Sequence, residues 1–132
     1  MGLAASIHIV DKSLITVSIA TLVLLPVVEF IKLIFRRQRP LSLYAKSMKF
    51  KSYSFPSGHS YAADLGCGYL LLFASNFLSI ELLIVTGVSL CLFSSMIALG
   101  RVYLGAHFPS DVVVGILMGV AVAGLIAQLA SQ

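Results

Sequence analysis

Charged residues are scarce in this chain. Nine Lys+Arg and five Asp+Glu in 132 positions make 11% of it charged, while 59% is hydrophobic. Mean hydropathy is +1.03. A soluble domain carries about a quarter of its residues as charges. The shortage argues against a soluble helical bundle, because too few polar residues remain to coat one. Cysteine is scarce as well. Cys67 and Cys91 have no second pair and no metal-ligand spacing, which argues against a disulfide framework or a thiolate metal site. Both read as small apolar packing residues. There is no internal repeat and no low-complexity tract.

What is present is apolar sequence in four long runs: Ser13–Phe35, Ser60–Phe77, Ile80–Gly100 and Val112–Ala130. Each approaches the roughly 20 residues that a helix needs to cross a bilayer. A spanning segment must pair its own backbone polar groups, so helices are expected rather than strands. The expected fold is all-α, a polytopic membrane bundle with four spanning helices in a single domain over residues 1–132. The first run has no basic segment before it and is long for a signal sequence, so it reads as a span. Pro26 is expected to bend it. Gly115, Gly119 and Ala123 form a stripe of small residues that reads as a packing face.

Four crossings place alternate loops on the same side. Arg36–Gly58 and Arg101–Ala106 share one face, which holds Arg36, Arg37, Arg39, Lys46, Lys49, Lys51 and Arg101, with Lys32 one turn inside. The opposite face keeps Lys12. Charge bias alone would put the basic face in the cytoplasm.

Three polar clusters converge on that face. In the first, KLIFRRQRP, Lys32 and Arg39 are seven apart, nearly one helical face if the helix continues that far. Pro40 is expected to turn the chain out of the helix at Gln38–Arg39. Taken alone, a basic collar of snorkelling side chains explains this cluster well. The second, FPSGHS, makes a turn at Pro56, Ser57 and Gly58 just before a helix. Unpaired N–H groups at a helix start bind anions, and Gly58 allows close approach. An ordinary Ser cap beside a bystander His59 is an equal reading. In the third, GRVYLGAHFPSDVVVG, His107 and Asp111 are four apart at a helix start. A carboxylate there can accept one imidazole proton and leave the other nitrogen as a nucleophile. Arg101 lies across the loop and suits an anion.

Several cations, one helix mouth, two histidines and one carboxylate suit a tetrahedral oxyanion, with phosphate the first candidate. No metal-ligand cluster and no nucleotide loop accompanies them, so the expected chemistry is phosphoryl transfer without metal or cofactor.

These motifs resemble those of the type 2 phosphatidic acid phosphatases, a superfamily that includes glucose-6-phosphatase and the vanadium haloperoxidases. Its three motifs, K-x6-RP, PSGH and SR-x5-H-x3-D, appear in order as Lys32 to Arg39–Pro40, Pro56 to His59, and Arg101 to His107 to Asp111. Gly100 stands where the third motif often has Ser. The resemblance covers about Lys32 to Gly115.

It implies that His107 attacks phosphorus to form a phosphohistidine, that Asp111 orients His107, and that His59 protonates the leaving oxygen and later activates water. Lys32, Arg39, Arg101, Ser57 and Gly58 would hold the phosphoryl oxygens. The implied partners are a lipid phosphate and the bilayer, with no nucleic acid. Phosphatidic acid, phosphatidylglycerol phosphate and undecaprenyl diphosphate all suit. Membrane members usually have six spans, so the four here correspond to the last four.

Low charge and short loops favour a bacterial inner membrane, and the resemblance also implies an extracytoplasmic site. That overrides the charge bias, because at least three of the basic residues have phosphate to hold. The alternative is a catalytically inactive member that binds phosphate or assists assembly. A vanadate haloperoxidase is disfavoured, because the soluble members of that branch lack such continuous spans.

Within the helices, Glu29 is expected to pair with Lys32, and Asp64 with a base from the first helix. An attacking neutral His107 and a protonated His59 predict a bell-shaped dependence of rate on pH. A rate that climbed steadily to high pH would contradict this pairing of roles.

Overall fold

A computed structural model describes residues 26–47 and 52–130. Among these the fold is all-α, with no strand. The elements are α1 (26–35), α2 (Leu43–Ser47), α3 (Gly58–Ala74), α4 (Ile80–Tyr103) and α5 (Pro109–Ala130). Lys12, Lys49, Lys51 and the start of the first apolar run lie outside the described residues, and with them the bend expected at Pro26.

Two helices are long and apolar enough to cross a membrane, Ile80–Tyr103 with hydropathy 2.3 and Pro109–Leu129 with 2.4. Only 11% and 28% of those stretches are buried, so they are not the core helices of a soluble protein. The predicted second span becomes α3, of 17 residues, which ends in a turn at Ser75–Phe77. The expected count of four spans therefore stands at two by length and composition among the described residues.

Helix ends shift from the apolar runs toward the polar motifs. The α3 helix begins at Gly58 because Ser57 caps it, accepting the Ser60 N–H on its side chain. The α4 helix runs past Gly100 and carries Arg101 in its last turn. Pro109 opens α5 at the first helical position, where its missing N–H costs nothing. Asp111, in the first turn, reaches back to accept the Phe108 N–H at 3.0 Å. The α1 helix stops at residue 35, earlier than expected, because Arg36 turns left-handed (φ 46°). Lys32 and Arg39 are therefore not on one helical face.

The packing centre is α3, which lies mainly against α5 and also against α4, while α4 and α5 barely meet. Between water-free helices little apolar driving force exists, and close backbone approach does the work instead. The predicted small-residue stripe provides that approach. A Cβ at Gly115 would stand 2.6 Å from the Ser57 carbonyl oxygen, and one at Gly119 would stand 2.7 Å from that of Tyr61. Ala123 meets Gly68 of α3 in the same way, at 2.6 Å from a Cβ built there.

Glu29 and Lys32 form the expected ion pair, at 2.6 Å. Asp64 differs from expectation: its partner among the described residues is the Ser94 side chain of α4, not a base. Cys67 and Cys91 are free thiols, and Cys67 approaches the Leu90 carbonyl oxygen at 3.6 Å.

Gly119→Ala should lower the thermal midpoint in detergent by the equivalent of roughly 1–3 kcal/mol, the usual cost of overpacking. Gly124→Ala, whose Cβ meets nothing within 4 Å, should not. Equal midpoints for the two variants would show that α3 and α5 do not approach as closely as described.

Candidate active site

Three loops assemble the site, each fixed by main-chain bonds. The irregular segment after α1 lies beside the loop that precedes α3. The Ser54 N–H donates to the Arg37 carbonyl at 2.8 Å. That loop is fastened in turn to α5, since the Ser57 N–H donates to the Asp111 carbonyl at 2.9 Å.

The α4–α5 turn is set by the Arg101 carbonyl, which accepts from Ala106 N at 3.0 Å and His107 N at 3.3 Å. Gly105 in this turn has φ 65°, and a Cβ there would stand 2.6 Å from the Ser42 Cβ. Ser42 in turn donates to the Gly105 carbonyl and accepts the Ala45 N–H of α2, both at 2.9 Å.

A cavity of about 620 Å³ opens between these loops. It is lined by Pro26, Val28, Glu29 and Lys32 of α1, by Arg39 and Ser52, by Gly58, His59 and Ala62 of α3, and by His107. Lys32 is only 6% exposed, with its ammonium 3.5 Å from where a Gly58 Cβ would stand. Gly58 and that ammonium thus lie side by side at the cavity wall. The first N–H groups of α3 have no intrahelical partner and lie at the same mouth.

Arg39 is held by several acceptors. Its Nε donates to the Ser52 carbonyl at 3.0 Å, Nη2 to the Ser52 hydroxyl at 3.1 Å, and Nη1 to the Ala106 carbonyl at 3.0 Å. The same Nη1 lies 3.1 Å from His107 Nε2. On the other side of the ring, His107 Nδ1 lies 2.7 Å from the Ser54 carbonyl oxygen. Both contacts are satisfied by one tautomer, with the proton on Nδ1 and the lone pair on Nε2. Burial, and then the Arg39 charge, lower the His107 pKa to about 4, against the raising effect of the Ser54 carbonyl and Asp111. The imidazole is therefore neutral near pH 7.

Asp111 is wholly buried. Its Oδ2 lies 3.7 Å from His107 Nδ1, beyond hydrogen-bonding distance. The expected direct bond between them is replaced by two contacts of Ser54. Its carbonyl takes the imidazole proton, and its hydroxyl donates to Asp111 Oδ2. Asp111 Oδ1 accepts from Arg37 Nη1 at 2.7 Å.

The structure thus brings Lys32, Arg39, Gly58, His59 and His107 to one cavity. Arg101 stands close enough for its charge to depress the His59 and Arg39 pKa values. His59 is exposed at the α3 mouth, ahead of the apolar run that starts at Ser60. Partial desolvation at the cavity edge lowers its pKa first, followed by the charges of Arg101, Lys32 and Arg39. Ser57 is placed differently. Its hydroxyl is fully buried and accepts the Ser60 N–H at 3.4 Å and the Ser60 hydroxyl at 3.0 Å, so it serves the helix cap rather than lining the cavity. At Gly100 a Cβ would meet nothing within 4 Å, so nothing in the fold demands the motif's serine there.

Sequence reasoning passed over Arg37, Ser52 and Ser54 as site residues. No periodic signal marked them: Ser52 and Ser54 lie in bends, and Arg37 meets Asp111 and Ser54 across segments far apart in the chain.

Known proteins share sequence similarity with this chain. The PAP2 superfamily profile matches residues 12–132. A lipid phosphate phosphatase delta of Arabidopsis thaliana is 40% identical over 76 residues, 55% of this chain and 18% of that relative. An undecaprenyl-diphosphatase of Sulfolobus acidocaldarius is 31% identical over 121 residues, 89% of this chain and 55% of that relative. The chain thus spans about half or less of the length of these relatives. No solved structure matches it.

Both histidines are displaced toward the acid side, so the pH dependence follows with sign. Neutral His107 is present above pH about 4 and lost as pH falls through it; for the attack by His107 that the resemblance implies, this puts the acid limb of kcat/KM near 4. Protonated His59 is lost as pH rises through a value below the ordinary 6.5, so the basic limb also moves to lower pH. NMR titration of the ring of His107 should give a midpoint near 4, and Arg39→Gln should raise it. A wild-type midpoint at 6.5 would contradict the buried, Arg39-facing placement.

Proposed function

The chain belongs to the PAP2 superfamily, and on that premise we propose that it is an integral membrane phosphatase that hydrolyses a lipid phosphate or diphosphate through a phosphohistidine, without metal. One observation carries this reading: His107 Nε2, Arg39, Lys32 and the open mouth of α3 share one cavity with His59. The names of the two relatives supply the substrate class. Among lipid phosphates, phosphatidic acid, phosphatidylglycerol phosphate and undecaprenyl diphosphate all remain within it.

In the proposed reaction a phosphoryl group enters with its oxygens between Lys32, Arg39, Arg101 and the Gly58 N–H. Arg39 Nη1 then exchanges His107 Nε2 for a phosphoryl oxygen, which frees the lone pair for in-line attack on phosphorus. A P–N bond forms as the P–O bond to the lipid breaks, and His59 delivers a proton to the departing oxygen. His59, now neutral, takes a proton from water as that water attacks the phosphohistidine. Phosphate leaves and Nε2 is restored.

Desolvation first, and then the charges of Arg101, Lys32 and Arg39, hold the His59 pKa down. A bound phosphate dianion opposes them and restores the protonated form that the first step needs. The cations themselves match the charge that spreads over the equatorial oxygens in the transition state.

We place the catalytic face on the extracytoplasmic side. Lys32, Arg37, Arg39 and Arg101 are engaged in or beside the site, so they do not report topology as free loop charges would.

Phosphate release from a panel of lipid phosphates and diphosphates, in detergent with EDTA, tests the reading. Wild type should release phosphate, and His107→Ala should lose roughly 10³-fold or more, as removal of a nucleophile does. No release by folded wild type would overturn it in favour of a phosphate-binding or assembly role.

A further inference from the structure

We propose that Arg37, acting through Asp111 and Ser54, is a positioning residue for the nucleophile His107. The inference rests on the phosphatase reading for its kinetics but on geometry for its substance. Arg37 does not line the catalytic cavity. It is nonetheless fastened behind the site: Nη1 donates to Asp111 Oδ1 and to the Ser110 hydroxyl, each at 2.7 Å. Its guanidinium lies over the Phe108 ring, 4.2 Å from the centroid. It is the cation that pairs with a carboxylate having no exposure at all.

The pairing decides which way Asp111 faces. With Oδ1 taken by Arg37, Oδ2 is left for the Ser54 hydroxyl and the Phe108 N–H. Ser54 is itself wholly buried, and its carbonyl oxygen holds the Nδ1 proton of His107 at 2.7 Å. The carboxylate thus reaches the imidazole through Ser54, since the direct distance is 3.7 Å. The main chain closes the circuit, because the Ser54 N–H bonds the Arg37 carbonyl at 2.8 Å. Ser54 is therefore gripped by Arg37 through its backbone and, through Asp111, by its side chain.

The two arginines divide the labour. Arg39 faces Nε2, where the phosphoryl group arrives, and Arg37 braces the Nδ1 side. They also differ in what a substitute must supply. A single nitrogen of Arg37 makes both of its hydrogen bonds, so a lysine ammonium can replace it. Arg39 uses three nitrogens on separate acceptors, so lysine cannot.

The test compares wild type with Arg37→Met, Arg37→Lys and Ser54→Ala, with Arg39→Lys beside them. Three readouts are taken: kcat and KM on a short-chain lipid phosphate, binding of inorganic phosphate, and exchange of the His107 Nδ1 proton by NMR. Arg37→Met should lower kcat by roughly 10²-fold, as loss of orientation does. Phosphate affinity should stay within about threefold, and the Nδ1 proton should exchange faster. Arg37→Lys should recover most of the kcat and the slow proton, while Arg39→Lys should weaken phosphate binding.

Ser54→Ala keeps the carbonyl and removes the hydroxyl, so it should fall between wild type and Arg37→Met. Together with Arg37→Lys it carries the test if Arg37→Met does not fold. Phosphate affinity falling in step with kcat would overturn the proposal, because Arg37 would then bind substrate. An unchanged kcat and proton exchange across the Arg37 and Ser54 variants would overturn it too. If wild type itself released no phosphate while the Nδ1 proton still followed Arg37, positioning would stand and the phosphatase reading would fail.

Discussion

The buried carboxylate of Asp111 is the point on which the site depends. A charge removed from water is tolerated only when it is paired and its lone pairs are satisfied. Asp111 meets that demand with groups from three separate segments: Arg37 after α1, Ser54 before α3, and the Phe108 N–H at the head of α5. Satisfying one carboxylate therefore pins together the three loops around the cavity. The His107 ring lies against the same knot, and the position of its Nε2 follows from it.

Helix packing supplies the second constraint. The distance between His59, on the first turn of α3, and His107, just before α5, depends on how closely those helices approach. Gly115, Gly119 and the Gly68–Ala123 contact bring them backbone to backbone. The contact begins at Ser57, immediately beside the catalytic loop, so the packing face and the site are continuous. The outer surface of α4, by contrast, exposes Val88, Leu92, Met96 and Leu99. Such a surface suits lipid rather than water.

The cavity concentrates positive charge while the His107 ring stays neutral, and the two facts are linked. Lys32 and Arg39 bear on both histidines and Arg101 bears on His59; buried surroundings and these charges favour the unprotonated rings. Glu29 holds Lys32 at 2.6 Å, with its ammonium beside Gly58 at the cavity wall.

Much of this was legible in the sequence. Scarce charge and long apolar runs imply an all-α membrane protein, because a backbone in lipid must satisfy itself. The spacing of Lys32, Arg39, His59, Arg101, His107 and Asp111 identifies the family, since such spacings are local in the chain. The stripe through Gly115 and Gly119 marked a true packing face for the same reason. What the sequence left open are relations between segments far apart in the chain. The break of α1 at Arg36, the partner of Asp64, the withdrawal of Ser57 into a helix cap, and the placing of Ser54 between His107 and Asp111 all belong to this class. So does the pairing of Arg37 with a carboxylate 74 positions away. Periodicity records which face of an element a residue occupies, whereas hydrogen bonds between loops depend on where those elements are brought to rest. Only the tertiary structure decides that, because the lowest-energy partner for a buried polar group is whichever donor or acceptor the packing of the whole chain delivers to it.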